Sequence, residues 1–103
     1  MSTEKKLTGK QRRWLFKKAH DLDPVVIIGK AGPTRELVQA VDAALSDHEL
    51  LKVKFNDYKD EKKDIAAFLS KETGAYTVWI IGNTVVFYRQ NKDTEKRQYN
   101  LPK

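Results

Sequence analysis

Val25-Val26-Ile27-Ile28-Gly29-Lys30-Ala31-Gly32-Pro33-Thr34-Arg35 is the stretch that decides how this chain folds. Its first four residues are β-formers in an unbroken run, which predicts a buried strand. Gly-Lys-Ala-Gly follows at once, and beyond Pro33 and Thr34 an amphipathic helical pattern begins. Such a strand–loop–helix junction sets glycines where the backbone must come close to something. The free N–H groups of a helix start lie beside them. Lys30 and Arg35 bracket the loop with positive charge, so the corner suits an anionic group.

Toward the N-terminus, Thr8-x-x-Gln11 has the form of a capping box and opens a helix that runs to about His20. At 100° per residue, Leu15, Ala19 and Leu22 share its buried side, while Lys10, Arg13 and Lys17 share the opposite one. Trp14 lies on the flank beside this basic row, where it packs as partial core or stacks on a base. Asp21-Leu22-Asp23-Pro24 ends the helix, because proline drives the residue before it away from helical angles.

Beyond the loop, Thr34 caps a helix to about Ser46, with Leu37, Val38, Val41, Ala44 and Leu45 as its packing stripe. Leu51–Phe55 alternates, as a strand with one wet face does. Asn56–Asp60 is a polar turn, and a third helix over Glu61–Lys71 carries Ile65, Phe68 and Leu69 inward. Gly74 suits its C-terminal cap. Ala75–Ile81, Gly82-Asn83 and Thr84–Arg89 form a hairpin on a two-residue turn. That register pairs Ile80 with Val85 and Val78 with Phe87 on the core face. Trp79 with Val86 and Thr77 with Tyr88 fall on the other face, which is expected to be covered. The order is α-β-α-β-α-β-β, with parallel or mixed pairing among the early strands and an antiparallel final strand.

The chain of 103 residues is one domain in size. Residues 1–6 are a flexible end, 7–89 hold the elements, and 90–103 are a tail that is polar apart from Tyr99 and Leu101. There is no cysteine, hence no disulfide framework. Apolar runs are too short to span a membrane, and the N-terminus lacks the apolar core of a secretory signal, so a soluble, cytoplasmic protein is expected. Residues 1–35 carry nine Lys/Arg against three acids, the whole of the net charge of +6, whereas residues 36–103 balance. Charge gathered around the glycine loop points to a polyanion as partner.

Catalysis finds little support. His20 and His48 have no second ligand at metal spacing, and the neighbouring side chains of Ser46-Asp47-His48 diverge too far for a triad. No metal, cofactor or small-molecule substrate is expected. A nucleotide P-loop would need glycine at Pro24 and Ser or Thr at Ala31. Gly-x-x-Gly between a strand and a helix is instead the device with which KH domains clamp a nucleic-acid backbone. The residues assigned to such contacts are Gly29, Lys30, Ala31, Gly32 and Arg35, then Lys10, Arg13 and Lys17. Arg12, Lys18 and Trp14 lie beside them.

Read end to end, the sequence resembles the CRM domain (chloroplast RNA splicing and ribosome maturation), and within it the single-domain bacterial YhbY-like members. The resemblance spans Leu7 to about Arg89. It rests on Leu7-Thr8-Gly9-Lys10-Gln11-Arg12, Ala19-His20-x-Leu22-x-Pro24 and Ile28-Gly29-Lys30-x-Gly32-x-Thr34. His48-Glu49-Leu50-Leu51-Lys52-Val53, Glu72-Thr73-Gly74-Ala75, Ile81-Gly82-Asn83 and Phe87-Tyr88-Arg89 extend it. Departures are Phe16, where a basic residue is common, Ala31 inside the loop, and Pro33 after it. The resemblance implies a four-stranded mixed sheet with three helices, related to the C-terminal domain of a bacterial translation initiation factor. It also implies an RNA-binding module whose bacterial members are associated with large-subunit ribosome precursors, so ribosomal RNA is the expected partner; a non-enzymatic protein acting as a monomer is expected. A second reading is a protein–protein adaptor on acidic ribosomal or translation-factor surfaces, anchored by Trp14 and the Trp79/Tyr88 face.

Overall fold

A computed structural model describes residues 6–103. The flexible end expected for residues 1–6 therefore falls, except for Lys6, outside the described residues. The elements are α1 (Gly9–Ala19), β1 (Val26–Ile28), α2 (Arg35–His48), β2 (Leu50–Phe55), α3 (Lys62–Thr73), β3 (Tyr76–Ile81) and β4 (Thr84–Tyr88), in the expected order. One four-stranded mixed sheet runs β1-β2-β4-β3, with β1 parallel to β2 and the other pairs antiparallel.

Alternation along β2 sends Leu51, Val53 and Phe55 to one face, where α2 and α3 cover them with Val41, Leu45, Ile65 and Leu69. Leu50 points the other way, into a second core with Leu15 and Ala19 of α1 and with Val78, Val86 and Tyr88. The capping box of α1 is complete: Thr8 Oγ1 accepts from the Gln11 amide (3.0 Å) and Gln11 Oε1 from the Thr8 amide (3.1 Å). α1 thus covers the face holding Val86 and Tyr88. It does not reach the far end of that face, where β2 carries Lys54.

Three expectations are corrected. The run Val25–Ile28 is not a buried strand: β1 is a three-residue edge strand, and Val25 and Ile27 are exposed. Only Ile28 is fully buried, because α2 covers one face of β1 while α1 stops short of the other. In α3, Phe68 is 40 % exposed and Ala66 takes its place in the core, since the buried stripe runs through Ile65, Ala66, Leu69 and Thr73 and leaves Phe68 on the shoulder. In the hairpin, Ile80–Val85 and Trp79–Val86 pair as expected, but Thr77 then pairs with Phe87 and Tyr76 with Tyr88. Val78 is the extra residue of a bulge and turns into the α1 core. The Arg12 guanidinium braces this kink by donating to the Thr77 and Val78 carbonyls (2.7 and 2.9 Å).

Asn91 and Gln98 are held at the C-terminal end of α2, and residues 99–102 pack against α1. Glu49 adopts φ +59° between α2 and β2, and its buried carboxylate accepts from the amides of Asn91 (2.5 Å) and Gln98 (2.6 Å). Tyr99 and Leu101 pack against the α1 core, and Gln11 Nε2 donates to the Pro102 carbonyl (2.9 Å). The Tyr88 hydroxyl is buried with no hydrogen-bond partner among the described residues. Burial, reinforced by the charge of Glu49, pushes its pKa up to about 12.

Candidate nucleic-acid interface

The glycine corner is built from three segments. Ile28 anchors the end of β1 in the core, and its carbonyl accepts from the amides of Asn56 (3.0 Å) and Asp57 (3.2 Å), tying the corner to the loop after β2. The chain then folds into a tight turn in which the Gly32 amide donates to the Gly29 carbonyl (3.0 Å). Thr34 caps α2 by accepting from the Leu37 amide (3.1 Å).

The two glycines meet different demands. Gly32 sits at φ +73°, and a Cβ there would lie 2.9 Å from the Tyr58 ring. Tyr58, itself left-handed at φ +58°, donates its hydroxyl proton to the Lys30 carbonyl (2.9 Å) and so braces the turn from beneath. Gly32 is therefore glycine because the fold requires it. Gly29 has no such reason. A Cβ added to it would meet nothing within 4 Å, and its φ is not in the left-handed range. Nothing among the described residues asks for a bare backbone at that position.

Lys30 and Ala31 are exposed at the tip, with Arg35 exposed at the start of α2. The amides of Lys30, Ala31, Arg35 and Glu36 donate to no other group among the described residues. Lys10, Arg13 and Lys17 stand exposed on the outer side of α1. Among the described residues the only ion pair is Arg89–Asp42, which involves none of these cations. β2 connects the C-terminal end of α1 to the strand that leads into the corner. The α1 C-cap His20 accepts at its carbonyl from Lys52 Nζ (3.2 Å), and Lys54, two residues along β2, is paired in register with Ile27, two residues before Gly29.

Other sequence candidates point elsewhere. Arg12 is turned into the sheet, as described above. Trp14 is half-buried, edge-on to Tyr99 at 6.3 Å between ring centroids, and the Lys18 ammonium sits 5.2 Å from its ring centre. Tyr58 is the corner residue that sequence reasoning passed over. A single aromatic inside the polar run Asn56–Asp60 was its only sign. Among the described residues no group of three or more His, Cys, Asp or Glu is placed to hold a metal, and no helix is long and apolar enough to cross a membrane.

Fold and corner together define a small α/β module, a mixed sheet with a braced glycine loop after its edge strand and a basic helix packed on one face. The chain belongs to the CRS1/YhbY (CRM) domain family, whose model matches residues 7–89. It is 39 % identical over 97 residues to "Probable RNA-binding protein YqeI" of Bacillus subtilis, covering 93 % of this chain and 99 % of that protein. It is 36 % identical to "Probable RNA-binding protein MJ0652" of Methanocaldococcus jannaschii, covering 97 % and 76 %. Among solved structures, the solution structure of SAV1595 from Staphylococcus aureus, described as a hypothetical protein and candidate RNA binder, superposes with a TM-score of 0.76. The two share 38 % identity over 93 % of this chain and 99 % of that one.

Proposed function

We propose that this protein binds RNA without catalysing a reaction. The sugar-phosphate backbone enters at Gly29–Gly32, Lys30 and Arg35 pair with phosphates, and Lys10, Arg13 and Lys17 continue the positive track. The names of its relatives support the RNA partner. The observation that carries the mechanism is Gly29: among the described residues it is an open glycine with no structural need of being one, beside exposed cations that lack carboxylate partners. The resemblance to bacterial YhbY-like proteins supports a place in large-subunit ribosome assembly; a monomer in the cytoplasm is part of the same proposal.

The adaptor reading loses two of its anchors, since Trp14 is half-buried against Tyr99 and Tyr88 is in the core. Binding of the purified protein to protein-free ribosomal RNA tests the proposal. Wild type is expected to bind and Gly29→Asp to lose at least about tenfold, as a like charge would face the phosphate. Equal affinity of the two would remove the loop from the site.

A further inference from the structure

The register of the sheet lines up four residues in one row across all four strands: Ile27 on β1, Lys54 on β2, Thr84 on β4 and Ile81 on β3. All four side chains project on the face that carries α1, and α1 does not extend over them. Ile27 is 55 % and Ile81 53 % exposed, and Lys54 is exposed between them. Trp79, two residues before Ile81 on the same face, is 38 % exposed; its ring is propped by a stacked contact with Phe16 of α1 (4.9 Å between centroids, 29° between planes). The row begins two residues before Gly29 and so continues directly from the corner.

We propose that this row is a platform for unpaired nucleobases, so that the RNA held at the corner is single-stranded where it crosses the sheet. The inference rests on the RNA-binding reading above. Three strand spacings of about 4.8 Å make the row roughly 14 Å wide, comparable to the four-stranded RRM sheet, which stacks about two or three bases on its aromatic side chains. Exposed aliphatic and indole surface gives the flat faces of bases a place out of water. Lys54 at the centre and Lys30 at the end offset the phosphates between them. There is no carboxylate in the row, so the strip matches a partner that alternates apolar faces with negative charge. A duplex keeps its base faces stacked inside and cannot use the platform.

The test compares three probes by fluorescence anisotropy: a single-stranded RNA of roughly 12 nucleotides, within the site sizes of single-strand binders, its perfect duplex, and an abasic strand of equal length. Wild type is expected to prefer the single strand over both other probes by at least about tenfold. Ile27→Ser/Ile81→Ser is expected to bring the single strand down to the affinity of the abasic strand while leaving duplex binding unchanged. Both side chains are surface-exposed, and a thermal melt checks that the variant is folded. The comparison of probes on the wild type needs no variant at all. Equal affinity for the three probes, or an undiminished preference in the double variant, overturns the platform and leaves the RNA-binding reading standing. Failure of all three probes to bind the wild type overturns both. A double variant that keeps its RNA preference but no longer binds an acidic amphipathic peptide assigns the face to a protein partner and also overturns the proposal.

Discussion

Replacing each glycine of the corner with alanine separates what the fold needs from what a ligand needs. At Gly32, alanine in the left-handed region costs about 1–2 kcal/mol, offset by about 0.4–1 kcal/mol from the stiffer unfolded chain. The new methyl would lie 2.9 Å from the Tyr58 ring, so the ring must move. Its hydroxyl then gives up the bond to the Lys30 carbonyl, worth about 1 kcal/mol, and the crowding adds about 1–3 kcal/mol. Gly32→Ala is thus expected to destabilise the protein by about 2–6 kcal/mol. Gly29→Ala meets open space and is expected to fall between about 0.5 kcal/mol destabilising and about 1 kcal/mol stabilising. Urea denaturation followed by circular dichroism measures both. In a Tyr58→Ala background the Gly32→Ala cost is expected to drop to about 1 kcal/mol, the backbone contribution alone. Equal costs for the two glycines, or a Gly32→Ala cost indifferent to Tyr58, would refute the brace.

Further outcomes are expected elsewhere in the molecule. Replacing Lys10, Arg13 and Lys17 together by alanine should leave folding intact and flatten the log affinity–log salt slope for single-stranded RNA by about 2 units, at roughly 0.7 for each phosphate no longer neutralised. An unchanged slope would take α1 out of the site. Glu49→Ala leaves the amides of Asn91 and Gln98 without their acceptor, so stability should fall by about 2 kcal/mol or more. Trypsin should then cut at Lys92, Lys96 and Arg97 faster than in wild type. Tyr88 loses its proton near pH 10 when unfolded but only near pH 12 when folded. Its contribution is whole below pH 10 and drains away as pH rises through that window, at up to about 1.4 kcal/mol per pH unit. Tyr99, raised in the same direction by burial, adds to the trend. Tyr88→Phe, monitored by denaturation at pH 9 and pH 11, should show a shallower decline.

Much of the architecture is legible because local chemistry and tertiary packing agree. Thr8 with Gln11, the Gly82-Asn83 turn, and the α2 stripe through Val41 and Leu45 each point to the element that forms. What the sequence hides depends on contacts between distant segments. Nothing in Tyr76–Ile81 marks Val78 as a bulge; it is held by Arg12, more than sixty residues away. That same contact draws an apparent surface cation into the sheet. Val25–Ile28 looks buried because hydrophobicity alone cannot tell an edge strand from a central one. The tail looks featureless because its main partner is Glu49, a charged residue whose burial follows from a left-handed backbone that sequence pattern does not announce. Within the corner, the Gly-x-x-Gly spacing is visible, but the division of labour between its glycines depends on where the Tyr58 ring lies.

The most direct measurement is a nuclear magnetic resonance titration of the labelled protein with a short single-stranded RNA, following every backbone amide. The largest shifts are expected at Gly29, Lys30, Ala31 and Gly32 and at the first amides of α2, with weaker ones along Lys10, Arg13 and Lys17. Shifts confined to the tail over residues 90–103, with the Gly29–Gly32 amides unmoved at saturation, would contradict the claim that RNA is held at the glycine corner.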